Sequence, residues 1–201
     1  LFPNTPDINP HHLDHGHAAF VVRFVLAATL SSLYGIYSGF ELCEHARLDD
    51  REEYADSEKY QIRAREWDAP GNIKPLITTV NRLRRTWPAL QLYDNLRFEP
   101  VSGERTLFYR KALRTEAVDP LTGFPYRWRE PVYVAVNCDP ERAERAVLHP
   151  DLPAVGIGWD EPYQLVDLMT GRARTERGAD LAVDLDPAAE PFRIFTIRPP
   201  A

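Results

Sequence analysis

At 201 residues, with 44% hydrophobic side chains, the chain is long enough to bury a core and to hold one large or two small domains. Its formal net charge of −6 argues against a nucleic-acid backbone as partner, and its only two cysteines, Cys43 and Cys138, make no disulfide framework and fit a reduced, cytoplasmic protein. The longest apolar stretch, AAFVVRFVLAATL at 18–30, is interrupted by Arg23 and is too short to cross a bilayer, so no membrane partner is expected.

The chain opens LFPNTPDINP. A short apolar start followed by polar residues and prolines reads as a strand ending in a loop, and that loop carries Asp7. The one methionine is Met169, so Leu1 is not an initiator and a longer parent protein is expected. Residues 11–17, HHLDHGH, place His11 and His15 four apart with Asp14 between them. That spacing can hold a metal, but a solvated loop entering a helix is the plainer reading. Residues 17–32 have the composition of a helix that is apolar around most of its circumference, as buried helices are. LYGIYSGFEL (33–42) reads as a buried strand.

A long charged loop follows at 44–71, with SEKYQ at 57–61. Lys59 offers an ammonium that can donate to several hydroxyls, and Tyr60 adds a hydroxyl and an apolar face. Then Ile73, Leu76, Ile77, Val80 and Leu83 fall on one helical face, with Asn72 as cap, Pro75 in the first turn and Pro88 as stop. Up to here the order is strand, helix, strand, loop, helix. After residue 90 the helices stop. LRFEPV, RTLFYRKA, PVYVAVNC, RAVLH, YQLVDLMTG, LAVDL and FRIFTIR are short apolar or alternating runs separated by turn residues, the pattern of an antiparallel sandwich. The expected fold is therefore α/β plus all-β, with an incomplete α/β part at 1–90 and a β-sandwich at 91–201. Trp128, Trp159, Phe124, Tyr126 and Tyr163 in the second part can stack on sugar or fill a core, and their spacing does not decide between the two.

NTPDI, LYGIYSGFELCE and the stretch EEYADSEKYQIRAREWDAPGNIKPLITTVNRLRRTWPALQ together resemble the C-terminal part of the maltose-1-phosphate maltosyltransferases, retaining enzymes of the α-amylase superfamily. The resemblance is dense from Phe2 to about Leu92 and thinner beyond. It implies that 1–90 are the last two βα units of an eight-stranded (β/α) barrel, with strands one to six upstream. Barrel enzymes carry their sites at the C-terminal ends of the strands, and Asp7 resembles the carboxylate that stabilises the transition state there. Retaining chemistry also needs a nucleophile and an acid/base, which the resemblance puts upstream of this chain. Pro6 stands where many superfamily hydrolases have histidine, which favours transfer over hydrolysis. Lys59 and Tyr60 match the pair that contacts the donor maltosyl unit. Glu41 and Glu44 sit in a structural element of the superfamily and are not nominated.

The implied activity is transfer of a maltosyl unit from α-maltose 1-phosphate to an α-1,4-glucan acceptor, in a homodimer, with no cofactor and no catalytic metal. This fragment by itself is expected to be inactive. Two other readings stay open: another superfamily enzyme, such as a trehalose synthase or a glucan hydrolase, and a carbohydrate-binding module without catalysis. From the residues alone, Asp7 also fits an Asx turn or a helix cap, and SEKYQ also fits a solvated loop.

Overall fold

The computed structural model describes residues 1–48, 51–55, 63–113 and 129–199. Lys59, Tyr60, Trp128, Phe124 and Tyr126 lie outside them. Two α-helices come first, α1 (His17–Leu30) and α2 (Lys74–Thr86). The strands follow: β1 (Leu96–Phe98), β2 (Val101–Ser102), β3 (Thr106–Leu113), β4 (Arg129–Asn137), β5 (Glu144–Leu148), β6 (Pro162–Asp167), β7 (Ala173–Arg177), β8 (Leu181–Leu185) and β9 (Phe192–Arg198). No helix among the described residues is long and apolar enough to cross a membrane.

The segment of α1 contains neither glycine nor proline, and ten of its 14 residues are buried, so it is an interior helix with no polar stripe. α2 is amphipathic in the expected register. Ile73 and Val80 are buried in the core, and Leu76, Ile77 and Leu83 pack against it. Asn72 Oδ1 accepts from the Lys74 amide at 3.1 Å, which satisfies a donor of the first turn. The helix ends before Pro88, which opens a short 3-10 turn, Pro88–Gln91.

The two strands expected in the first part are not formed. Residues 1–6 and 33–41 carry no strand, and the chain enters a 3-10 turn at Phe40–Leu42. One rung of a parallel pattern is present. The Leu1 amino group donates to Leu33 O at 2.8 Å, and Gly35 N donates to Leu1 O at 3.0 Å. Pro3 has no N–H to continue it, and the Tyr37 amide turns instead to the Asn4 side chain, at 3.2 Å. Gly39 then takes φ +104°, and a Cβ there would run into the Glu44 carboxylate, so this bend requires glycine.

The second part is a sandwich. A six-stranded sheet, in the order β1-β3-β4-β9-β6-β7, faces a three-stranded sheet, β2-β5-β8, and every described pairing is antiparallel. Both faces of the larger sheet are buried, as the side-chain alternation of its central strands requires. Tyr109, Val132, Val134, Val136, Phe192 and Ile194 share one core cluster with Phe24, Val25 and Ala28 of α1. Phe108, Tyr133, Ala135, Phe195 and Ile197 face the other way, against Leu148, Leu181 and Leu185 of the smaller sheet. Thr29 Oγ1 and Tyr109 Oη lie 2.5 Å apart, a buried polar bond between α1 and the sheet. Strand β7 was not expected from the sequence. Its residues, ARTER, have no apolar alternation, and it forms the edge beyond β6.

Candidate active-site loop and a second cleft

Asp7 lies at the tip of a tight turn. Thr5 N donates to Ile8 O at 3.0 Å and Ile8 N to Thr5 O at 3.1 Å, so Pro6 and Asp7 are the two corner residues. Proline fixes φ at the first corner, and Asp7 is exposed at the second. The following 3-10 turn, His11–His15, has Pro10 at its N-cap, and α1 has Gly16, neither with a side-chain cap bond. Asp7 is therefore not a helix cap.

The stems of this turn are pinned by buried groups. Asn4, 2% exposed, donates through Nδ2 to Tyr54 Oη at 2.6 Å. The Tyr37 and Tyr54 rings meet edge to face at 5.5 Å. Burial raises the Tyr54 pKa, although the bond from Asn4 works against that. Arg23 Nε donates to Pro3 O at 2.7 Å, and burial lowers the pKa of its guanidinium. On the other stem, Asn9 N donates to Glu52 O at 2.7 Å and Asn9 Nδ2 to His45 O at 2.8 Å. Arg47, 11% exposed, donates to the carbonyls of Asn9 and Pro10 and to Asp14. Its guanidinium holds the Asp14 carboxyl below the usual carboxylate range. Residues of 37–48 and 51–54 are thus stitched to 4–14 around the base of the turn, and Asp7 at its tip is exposed.

The other polar motifs have structural roles. Glu41 Oε2 accepts from Gly39 N at 3.0 Å, and Glu44 Oε2 accepts from Arg65 Nε at 3.1 Å. In the histidine run, Asp14 is held by Arg47 and His15 Nδ1 lies 2.8 Å from Glu141, so the ligand set is split. No group of three or more metal-binding side chains converges among the described residues. Tyr163 is buried and donates to Gly178 O at 2.8 Å, while Trp159 is exposed. His149 links Ser102 Oγ (2.9 Å from Nε2) to Asp180 (2.9 Å from Nδ1), the order of a hydrolytic triad. The Asp180 side chain is 83% exposed, however, and both contacts of His149 lie open to solvent.

Sequence reasoning missed a cleft of about 530 Å³ at the open end of the sandwich. Leu165, Leu181, Val183 and Phe195 form its floor, and three arginines (Arg172, Arg174, Arg193) and three carboxylates (Asp167, Asp184, Glu190) surround it. Its signal was the polar strand itself: a run such as ARTER, next to the strand YQLVD, looks like a loop unless both edges of the sandwich are counted.

Residues 98–197 match the family described as "GLGE, C-terminal". Across nearly the whole chain the sequence is also similar to proteins named alpha-1,4-glucan:maltose-1-phosphate maltosyltransferase. That of Rhodospirillum rubrum is 43% identical over 200 residues, covering 99% of this chain and 27% of the relative. That of Myxococcus xanthus is 44% identical over 188 residues, covering 93% and 26%. The chain thus spans about a quarter of the length of these relatives. In fold it is similar to an Anoxybacillus α-amylase, with a TM-score of 0.64 at 13% identity, covering 100% of this chain and 38% of that one. The Geobacillus thermoleovorans α-amylase superposes with a TM-score of 0.58 at 16% identity, covering 90% and 33%.

Proposed function

We propose that the chain, whose residues 98–197 match the family described as "GLGE, C-terminal", is the C-terminal portion of a retaining α-1,4-glucan:maltose-1-phosphate maltosyltransferase. The parent enzyme moves a maltosyl unit from α-maltose 1-phosphate to the end of an α-1,4-glucan and releases phosphate. Residues 1–90 are read as the last two βα units of its (β/α) barrel and 91–201 as the C-terminal sandwich. The parent is read as a cytoplasmic homodimer.

The observation that carries the reading is the Asp7 turn. A carboxylate at the tip of a braced two-residue turn, with both stems hydrogen-bonded into buried structure, is preorganised. An oxocarbenium-like transition state needs such a group: negative charge fixed before the sugar ring becomes positive. In this role Asp7 accepts hydroxyl hydrogens from the sugar and holds the ring distorted. The nucleophile and the acid/base come from the upstream part of the parent enzyme. Lys59 and Tyr60 hold the donor sugar. The sequence order supports this placement, because Lys59 and Tyr60 follow closely on Tyr54, which braces the turn.

The test is a product analysis. The full-length enzyme incubated with α-maltose 1-phosphate and maltohexaose should release phosphate and lengthen the acceptor by two glucose units. Free maltose without extension, or trehalose formed from maltose, would refute the assignment.

A further inference from the structure

Six strands face three, so the larger sheet overhangs the smaller one. On its inner face the cross-strand rows run outward from the core. Phe195 pairs with Asp167, and Ile197 pairs with Leu165, which pairs with Arg174. Directly paired residues share a face, so each row changes from apolar to charged as it passes the edge of β8. A buried sheet face would continue with leucine or valine here. Arginines and carboxylates follow instead, and the space beneath them is the 530 Å³ cleft. That volume suits a ligand of the size of a short oligosaccharide.

The lining selects the class of ligand. The Arg172, Arg174 and Arg193 guanidinium groups are balanced by the Asp167 and Glu190 carboxylates and by Glu176, which pairs with Arg174 at 2.7 Å, so the cleft has no net charge with which to attract an ion. Among the described residues the Arg172 guanidinium and the Asp184 carboxylate have no hydrogen-bond partner. Arg193 is engaged with Glu190 and with Asp184 O, and Asp167 with the Met169 and Thr170 amides. An unused planar donor, the Arg172 guanidinium, thus borders the cleft beside an aliphatic floor of Leu165 and Val183. Vicinal hydroxyls can both donate and accept, and the C–H face of a pyranose is apolar. Charged side chains on β7, Arg174, Glu176 and Arg177, also discourage pairing of this edge with another strand. We propose that the cleft between β6, β7 and β8 is a second binding site, apart from the Asp7 loop, for a short neutral oligosaccharide. That the sugar is α-1,4-linked glucose rests on the proposed maltosyl transfer, whereas the neutral-sugar class rests on the lining alone.

Binding is measured on the 201-residue chain by titration calorimetry and by amide chemical shifts. Maltohexaose is the probe, with cellohexaose and inorganic phosphate as comparisons. Saturable binding in the millimolar range or tighter is expected, with shifts at Asp167, Thr170, Arg172, Ala182, Val183 and Asp184. The double variant Arg172→Ala/Arg174→Ala should weaken it at least about 10-fold, the scale of one or two lost charge-assisted hydrogen bonds. Val183→Trp, which fills the cleft without touching the charges, should abolish it. Both variants are checked for a wild-type circular dichroism spectrum, and either one is sufficient for the test. The proposal is overturned by no saturable hexaose binding, by shifts confined to other parts of the chain, by undiminished affinity in a folded variant, or by phosphate occupying the cleft in preference to sugar. Preference for cellohexaose keeps the neutral-sugar site and overturns its assignment to α-1,4 chains. No turnover is read, so loss of the cleft and loss of the maltosyltransferase assignment appear in separate experiments.

Discussion

Arg84 is the residue whose removal should cost the helical part most. It projects from α2, and its Nη1 donates to the carbonyls of Ala28, Ser31 (3.1 Å) and Leu90 (3.2 Å). Its Nη2 donates to Ser32 O at 2.6 Å, and the guanidinium lies 5.1 Å from the centre of the Tyr34 ring. Ala28 is in the last turn of α1 and Ser31 and Ser32 follow it directly, so one cation satisfies carbonyls at the end of one helix and joins them to α2 and to the Pro88–Gln91 turn. Burial lowers the pKa of this guanidinium, so part of the gain is offset by desolvation. A hydrogen bond to a charged group contributes about 1.5–3 kcal/mol, and several from one group do not add. Water can enter beside Ser32, Asn81 and Gln91, where the surface is hollowed, and it would rehydrate some of the abandoned carbonyls. The net loss expected for Arg84→Ala is about 3 kcal/mol, near the upper end for single substitutions. For a chain of this length that lowers Tm by about 6–12 °C. Arg84→Lys keeps the charge but not the fork of donors, and should lose roughly half as much. Urea and thermal unfolding of the three proteins measure this. An Arg84→Ala protein within about 0.5 kcal/mol of wild type would show that these bonds are replaced by water at no cost, and the clamp account would fail.

Lys111 is fully buried and donates to Leu92 O at 2.8 Å, and burial, with Arg84 nearby, lowers its pKa to about 8. Between that value and the unfolded value near 10.4 the unfolded chain binds more protons, so this group makes stability rise with pH through that window. The stability of Lys111→Met relative to wild type should therefore fall as pH goes from 7.5 to 9.5, by about 2 kcal/mol in paired urea titrations, and a difference independent of pH would contradict the buried ammonium. Arg47→Ala in the full-length enzyme loosens the stem of the Asp7 turn and should lower kcat about 10- to 100-fold, with a smaller change in KM; an unchanged kcat would make the clamp irrelevant to the site. Lys59→Ala should raise KM for the donor about 10-fold and lower kcat less, and the reverse pattern would remove Lys59 from ground-state binding.

The helices and most strands were legible because their periodicity is strong and burial is one-sided. Ile73, Leu76, Ile77, Val80 and Leu83 could be read from spacing alone, and all five take part in the core. PVYVAVN, in β4, was legible as a strand because both of its faces are covered and its run is nearly continuous. What failed was local pattern without regular hydrogen bonding. LYGIYSGFEL is apolar and aromatic like a strand, but Gly39 turns the chain, its strand-like pairing is one rung with Leu1, and Glu41 O accepts from Ile73 N at 2.9 Å instead. Strand β7 failed for the opposite reason, since its place in the sheet comes from β6 and not from its own residues. The turn around Asp7 was visible in PDINP, but its bracing was not. Asn4 with Tyr54 and Arg47 with Pro10 are contacts across 50 and 37 residues, and no local pattern encodes them.

The most direct measurement is the turnover of Asp7→Asn in the full-length enzyme, with α-maltose 1-phosphate as donor and a maltooligosaccharide as acceptor. The substitution keeps the size of the side chain and the turn that Thr5 and Ile8 close, and it removes the negative charge. If Asp7 stabilises the developing positive charge, kcat should fall at least about 10²-fold, with phosphate release and acceptor extension lost together. A folded Asp7→Asn enzyme with near-normal kcat would make Asp7 a turn residue only and would contradict the central claim.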